Sequence, residues 1–338
     1  MRCLAALPLA LLLAAPAWCG NATVETVVAK HILPGFGRLA ADAKVLEERA
    51  RQDCAPESPG LREAYNDAFD AWIRVSHLRF GPTEVGDRAF ALAFWPDVRG
   101  FTPRTLGTLI AEEDPAVATQ EAFAHVSVAG RGFYALEYLL YDDSLSVAGD
   151  PAYHCALVEA VARDISATSE AILSDWQERY AALLTTAGAP GNTVYRSEDE
   201  ALQELYKAIA TGLQFTQDTR IGRPLGTFEK SYPSRAEARR SGRSLRHVVL
   251  SLEATHELAG LLSEGEPAAW PPLDRAFDNA RDKALTLDDP VFAGVAEPQS
   301  RLRVEVLYQA FDEIRERYLP ELGAALGVAP GFNALDGD

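Results

Sequence analysis

The chain has 338 residues, 48% of them hydrophobic and 24% charged, which is ordinary globular composition and enough for one large or two modest domains. Its formal net charge is −17, from 49 acidic against 32 basic residues. That balance argues against a nucleic-acid binder, which needs a basic face, and suits a protein that attracts cations.

The first segment reads as a secretory signal over residues 1–20. Arg2 supplies the leading charge, Leu4 to Ala15 is apolar apart from Pro8, and Ala15-Pro16-Ala17 offers a small-residue cleavage site. The mature chain is therefore expected in a bacterial periplasm. Lipid anchoring at Cys19 is disfavoured because Trp18 precedes it where a small residue is wanted. No later stretch reaches the roughly 18 uninterrupted apolar residues of a membrane span. Export permits disulfides, and both a Cys54–Cys155 bridge and two free buried thiols stay open.

Helical periodicity dominates the rest. It runs from Thr23 to Ala55 with a kink or break expected at Pro34-Gly35, then from Leu61 to Leu78. An irregular stretch, Arg79 to Pro103, is rich in Gly, Pro and aromatic residues. Helices follow at Arg104–Glu113, Ala116–Val126, Gly130–Tyr141 and Pro151–Thr186, the last with Asp150 as N-cap. A small-residue linker, Thr185 to Asn192, leads to a second half. There Ser197 and Glu200 form a capping box opening a helix to Thr219, Arg220 to Arg235 is irregular, and helices run over Ser244–Leu262, Leu273–Leu285 and Pro298–Leu326, with Ser244 as N-cap. The fold class is all-α, as two helical-bundle halves, 21–187 and 188–338, suggestive of a duplication, with a site between them.

Phosphate-cradling glycine loops, the G-x-S-x-G elbow and H-E-x-x-H are all absent; His256-Glu257 begins the last, but Gly260 stands where the second His belongs. Three features carry chemistry instead. Glu137 sits in the apolar run Gly132 to Tyr141 with Tyr134 on the same helical face, so a buried carboxylate there needs an Arg, a metal or several donors. The irregular stretch presents His77, Arg79, Trp95 and Asp97 on an ordered loop. Arg223 lies in Arg223-Pro224-Leu225-Gly226, and the Arg-rich run Arg235 to Arg246 reads as a solvated face, with neutralisation of an anion as the other reading. Glu253-x-x-His256 and the pair Glu121 and His125 have metal-capable spacing and read as surface pairs.

Together these tracts resemble the imelysin family of exported bacterial proteins, from about Thr23 to Leu326. Gly132-Phe133-Tyr134-Ala135-Leu136-Glu137 is similar to its G-x-H-x-x-E signature, with Tyr134 in the place of the His. His77-Leu78-Arg79-Phe80-Gly81-Pro82, Phe94-Trp95-Pro96-Asp97 and Arg223-Pro224-Leu225-Gly226 follow in the family's order. The resemblance implies two helical halves, a site between them and a link to iron uptake. The family took its name from a proposed metallopeptidase activity, which the missing zinc-peptidase motif does not support. A phenol is a poor ligand for Zn²⁺ or Fe²⁺ unless a hard ion such as Fe³⁺ deprotonates it. The expected ligand residues are Tyr134, Glu137, His77, Arg79, Trp95, Asp97 and Arg223, with Glu137 and His77 as metal ligands for iron or another divalent or trivalent ion. The expected function is a periplasmic binding or accessory protein in metal uptake, partnered by a metal ion or small molecule and by other envelope iron-uptake proteins. The alternatives are a ligand-binding protein whose metal site has decayed and a metallopeptidase.

Overall fold

A computed structural model describes residues 22–265 and 268–328. The signal segment and Cys19 lie outside the described residues. Among those described there is no strand, and no helix is long and apolar enough to cross a membrane.

At Pro34-Gly35 the helix does not break; the irregularity is a π turn just ahead of it. Helix α1 (Ala22–Val27) passes through a π turn, Val28–Ile32, into α2 (Leu33–Gln52), which places Pro34 in the first turn of α2. Helix α3 (Pro59–Val75) starts at Ser58, whose hydroxyl accepts from the Leu61 amide. The aromatic stretch holds two 3₁₀ turns and α4 (Arg88–Leu92), and leads to α5 (Phe101–Glu112). The helix expected over Ala116–Val126 splits into a 3₁₀ turn and α6 (Gln120–Phe123), because Thr119 caps a new start. Helix α7 (Gly132–Tyr141) precedes α8 (Pro151–Asp175), where the Asp150 side chain accepts from the amides of Ala152 and Tyr153. A π turn joins α8 to α9 (Ala181–Thr185).

In the second half, α10 (Glu198–Gln214) is capped by Ser197, and Glu200 closes the box one residue early, on the Arg196 amide. The irregular region expected from Arg220 begins later than its Gly and Pro content suggests. A π turn, Phe215–Ile221, carries the helix on into α11 (Gly222–Leu225), which stops at Gly226 with φ +67°. Then come α12 (Ser244–Leu262), α13 (Trp270–Leu285), α14 (Pro298–Asp312), a π turn and α15 (Leu319–Ala325). Ser244 is not the N-cap of α12: Arg243 holds that position, and the Ser244 hydroxyl donates instead to the Glu237 carbonyl.

Helices α3 and α8 both pack on α2, with α7 against α8; α10 and α13 pack on α12, and α14 on α13. Helix α12 also lies against α3 and α1, so one contiguous apolar core runs from the first half into the second. Phe36 stacks on Trp176, and Phe69 stacks on Phe133 with ring centroids 4.7 Å apart.

Cys54 and Cys155 form a disulfide with Cα atoms 5.3 Å apart, joining the residues after α2 to α8 across 101 positions. Closing so long a loop restricts the unfolded chain, and its removal costs about 2–5 kcal/mol. The Cys54→Ser/Cys155→Ser protein is expected to unfold at clearly lower urea than the oxidised wild type; equal midpoints would show that loop closure contributes nothing.

Candidate functional site

Helix α7 enters the structure through Gly132, whose φ of +72° favours glycine and whose Cβ, if present, would strike the carbonyl oxygens of Ala91 and Leu92. That close approach presses the start of α7 against the end of α4, and the next turn carries Tyr134 and Glu137 inward, at 6% and 2% exposure.

The Tyr134 hydroxyl donates to Glu237, a residue of the Arg-rich run that is 1% exposed. Glu237 also accepts from Arg220 Nε at 2.8 Å and His247 Nδ1 at 3.0 Å. Arg220 reaches it from the π turn, where its guanidinium also bonds Ser251 Oγ at 2.8 Å and Thr216 Oγ1 at 3.1 Å. Such a turn inserts one extra residue per helical repeat and redirects the side chains that follow, a frequent device at functional sites. Burial by itself would raise the Glu237 carboxyl. The Arg220 charge and the bonds from His247 and Tyr134 outweigh it and hold the carboxyl at about 2. Burial pushes His247 down to about 4, so at neutral pH it is a neutral imidazole donating through Nδ1, and its buried Nε2 has no partner. Burial and the neighbouring Glu237 carboxylate raise the Tyr134 phenol well above its ordinary value, so it stays a proton donor.

Among the described residues Glu137 forms no ion pair with an arginine, although the Arg240 charge acts on it. Its Oε1 accepts from the Ser241 amide at 2.9 Å and the Ser241 hydroxyl at 2.8 Å, while burial raises its carboxyl. The loop presenting Glu237 and Ser241 is pinned to α3 by Arg243, which is 7% exposed, pairs with Asp70 and donates to the Asn66 carbonyl at 3.2 Å. The reading of Arg235 to Arg246 as a solvated face holds for Arg235, Arg239 and Arg246, which are exposed, but Glu237 and Arg243 are buried within it.

Two cavities meet at the wall formed by Trp95 and Tyr134, whose rings stack with centroids 6.2 Å apart. The smaller, about 310 Å³, is lined by Asp97, Glu137, Tyr138, Arg223, Arg235, Arg239 and Arg240. Asp97 turns its carboxylate onto the amides of Phe101 and Thr102 at the start of α5, at 2.9 and 2.7 Å. The larger, about 470 Å³, is more aromatic, with Trp72, His77, Phe80, Phe90 and Phe215, and reaches Arg220 and Glu237 at its floor. Residues of both halves line each cavity.

The predicted ligand residues therefore divide. Tyr134 and Trp95 face both cavities, Glu137, Asp97 and Arg223 the smaller, and His77 and Arg79 the larger. His77 Nε2 lies 3.1 Å from His31 Nε2, and His31 pairs with Glu257 at 3.5 Å. Burial holds His77 well below its ordinary value, with His31 and Arg220 adding to the effect. His77 and Glu137 thus line different cavities. The phenol and the Arg220-compensated Glu237 do not fit a bare-ion cradle, and the three ligand-type side chains that do converge among the described residues, Cys54, Cys155 and Glu159, include the two bonded sulfurs. Glu253 pairs with Arg74 and Arg281, and His256 with Asp274, so that sequence pair faces other partners.

Sequence reasoning missed Glu237, Arg220 and His247. The available signal was one acidic residue between two alanines in a run otherwise basic and small, which marks a carboxylate needing internal compensation.

The sequence pattern of the imelysin family matches residues 32–318. No curated protein sequence matches the chain. Among solved structures, an imelysin-like protein from Psychrobacter arcticum 273-4 is 18% identical with a TM-score of 0.74, over 92% of this chain and 97% of that one. A candidate iron-regulated protein A precursor from Parabacteroides distasonis ATCC 8503 is 14% identical with a TM-score of 0.72, over 90% and 93% of the two chains. At these identities the likeness is one of fold.

Two outcomes follow from the buried network. Glu237→Gln leaves the Arg220 charge unpaired and is expected to cost about 3–5 kcal/mol in urea unfolding; a loss below 1 kcal/mol would show that the network contributes little. Both Glu237 and His247 bind protons less readily folded than unfolded. Stability should therefore fall with acidification, first between pH 6.5 and 4 as the unfolded His247 takes up a proton, then from 4.5 down to about 2 through Glu237. His247→Gln should lower the slope over the first interval, to which the buried His77 also contributes, and an unchanged slope there would assign it to other groups.

Proposed function

The chain belongs to the imelysin family, and from that premise we propose that it is a periplasmic binding protein serving the uptake of iron or a related metal, with its ligand held between the two halves. The observation that carries this reading is the pair of cavities meeting at the Trp95–Tyr134 wall, on the family's signature helix and lined by both halves. The iron-regulated name of one structural neighbour supports the metal link.

Binding is favoured over hydrolysis by the state of the polar groups. Glu137, the residue a peptidase would use as a base, already accepts two bonds from Ser241, and burial favours its protonated form. Tyr134 is a proton donor committed to Glu237, not a lone-pair donor. The metal is accordingly cargo and enters as a complex. A second reading, a ligand-binding protein that has lost its metal site, draws on the same bond between Tyr134 and Glu237.

Trp95 supplies the probe. Titration with ferric ion, and separately with ferric citrate, should quench emission in the micromolar range, and Trp95→Phe should remove that response. Casein should stay intact with wild type and Glu137→Gln alike. No response to iron in either form, or proteolysis abolished by Glu137→Gln, would overturn the proposal.

A further inference from the structure

The net charge of −17 makes one feature of the smaller cavity unusual: its charged lining is mostly arginine. Arg223 comes from α11, and Arg235, Arg239 and Arg240 from the loop before α12. Arg240 is neutralised, since its Nε lies 2.7 Å from Asp142 and its guanidinium 3.7 Å from the centre of the Tyr138 ring. Arg223, Arg235 and Arg239 are different. Among the described residues no carboxylate pairs with any of them.

Arg223 Nε is buried without a hydrogen-bond partner, and its guanidinium lies over the Trp95 ring at 5.7 Å from the centroid. Arg235 lies over Tyr232 at 3.7 Å, which fixes its plane. The acidic lining offers little compensation. Both Asp97 oxygens face backbone amides, and Glu137 is buried with its Oε1 taken by the Ser241 amide and hydroxyl. Three guanidinium groups without a carboxylate partner thus share a concave space of about 310 Å³ with two acids that are already engaged elsewhere. Arg223 Nε, buried without a partner, is costly to leave unsatisfied, while Arg235 and Arg239 are exposed at the mouth of the cavity; the forked donors of all three match the paired oxygens of an oxyanion.

We propose that this cavity is a subsite for a small polyanion, an organic polycarboxylate or a phosphate, held by Arg223, Arg235 and Arg239 against the Trp95 and Tyr138 rings. The proposal rests on the reading of the interface cavities as ligand sites and specifies the charge of what they take. A bare cation would meet the same three positive groups, so metal entering here must be wrapped in an excess of acidic groups.

Calorimetry on the mature chain at low ionic strength, with iron-free citrate and with inorganic phosphate, tests this. At least one should bind in the micromolar range and weaken as salt is raised, and the tighter of the two identifies the source. Arg223→Gln and Arg239→Gln should each weaken binding about tenfold or more, while Arg38→Gln, far from the cavity on an exposed helix face, leaves it unchanged. Arg239 is exposed, so its variant keeps the fold if Arg223→Gln does not. Binding of neither anion at millimolar concentration, or wild-type affinity in both cavity variants, would overturn the proposal. Ferric ion bound without either anion would sink it and leave the metal-binding reading intact; an anion bound with no response to iron in any form would do the reverse.

Discussion

A carboxylate that is 1% exposed must find compensation or lose its charge, and Glu237 finds three partners. Each comes from a different element: Tyr134 from α7, Arg220 from the π turn after α10, His247 from α12. The first belongs to one half and the other two to the second. The charge therefore ties three elements of the two halves together through specific hydrogen bonds, beside the apolar core that they share. The loop carrying Glu237 is held in turn by Arg243 on α3 and by Ser241 on Glu137. Both cavities take their shape from this arrangement, since Tyr134 is a wall of each.

The presence of tyrosine at the signature position changes the sign of the chemistry there. Imidazole can offer a lone pair; a buried phenol beside a carboxylate offers a proton. Its bond to Glu237 joins that carboxylate to the guanidinium of Arg220, leaving the signature position occupied by a hydrogen-bonded set. What remains open lies on either side of it, aromatic on one side and basic on the other.

The helices were legible because their apolar spacing and caps are local. Ser58, Asp150 and Ser197 act within one turn of where they stand. Gly132, Tyr134 and Glu137 were likewise legible as a family-like tract. What sequence could not give is any pairing between residues about a hundred positions apart, such as Tyr134 with Glu237 or Glu137 with Ser241. The π turns were also hidden, because one inserted residue leaves composition and caps untouched while rotating every later side chain; Arg220 was read as loop for that reason. Arg235 to Arg246 misled in the opposite direction. Its composition is that of a solvated surface, and only the fold brings it against α3 and α7.

The disulfide between Cys54 and Cys155 has a topological consequence. It closes a covalent ring that encloses His77, Trp95, Asp97, Tyr134 and Glu137, while Arg220, Glu237 and every arginine of the smaller cavity belong to the open tail beyond it. The aromatic wall and its neighbouring acids are thus bounded by a crosslink, and the positive charges are delivered by the segment that follows it. The lining of both cavities is completed only when that segment docks on the ring, so it exists only in the fully assembled chain.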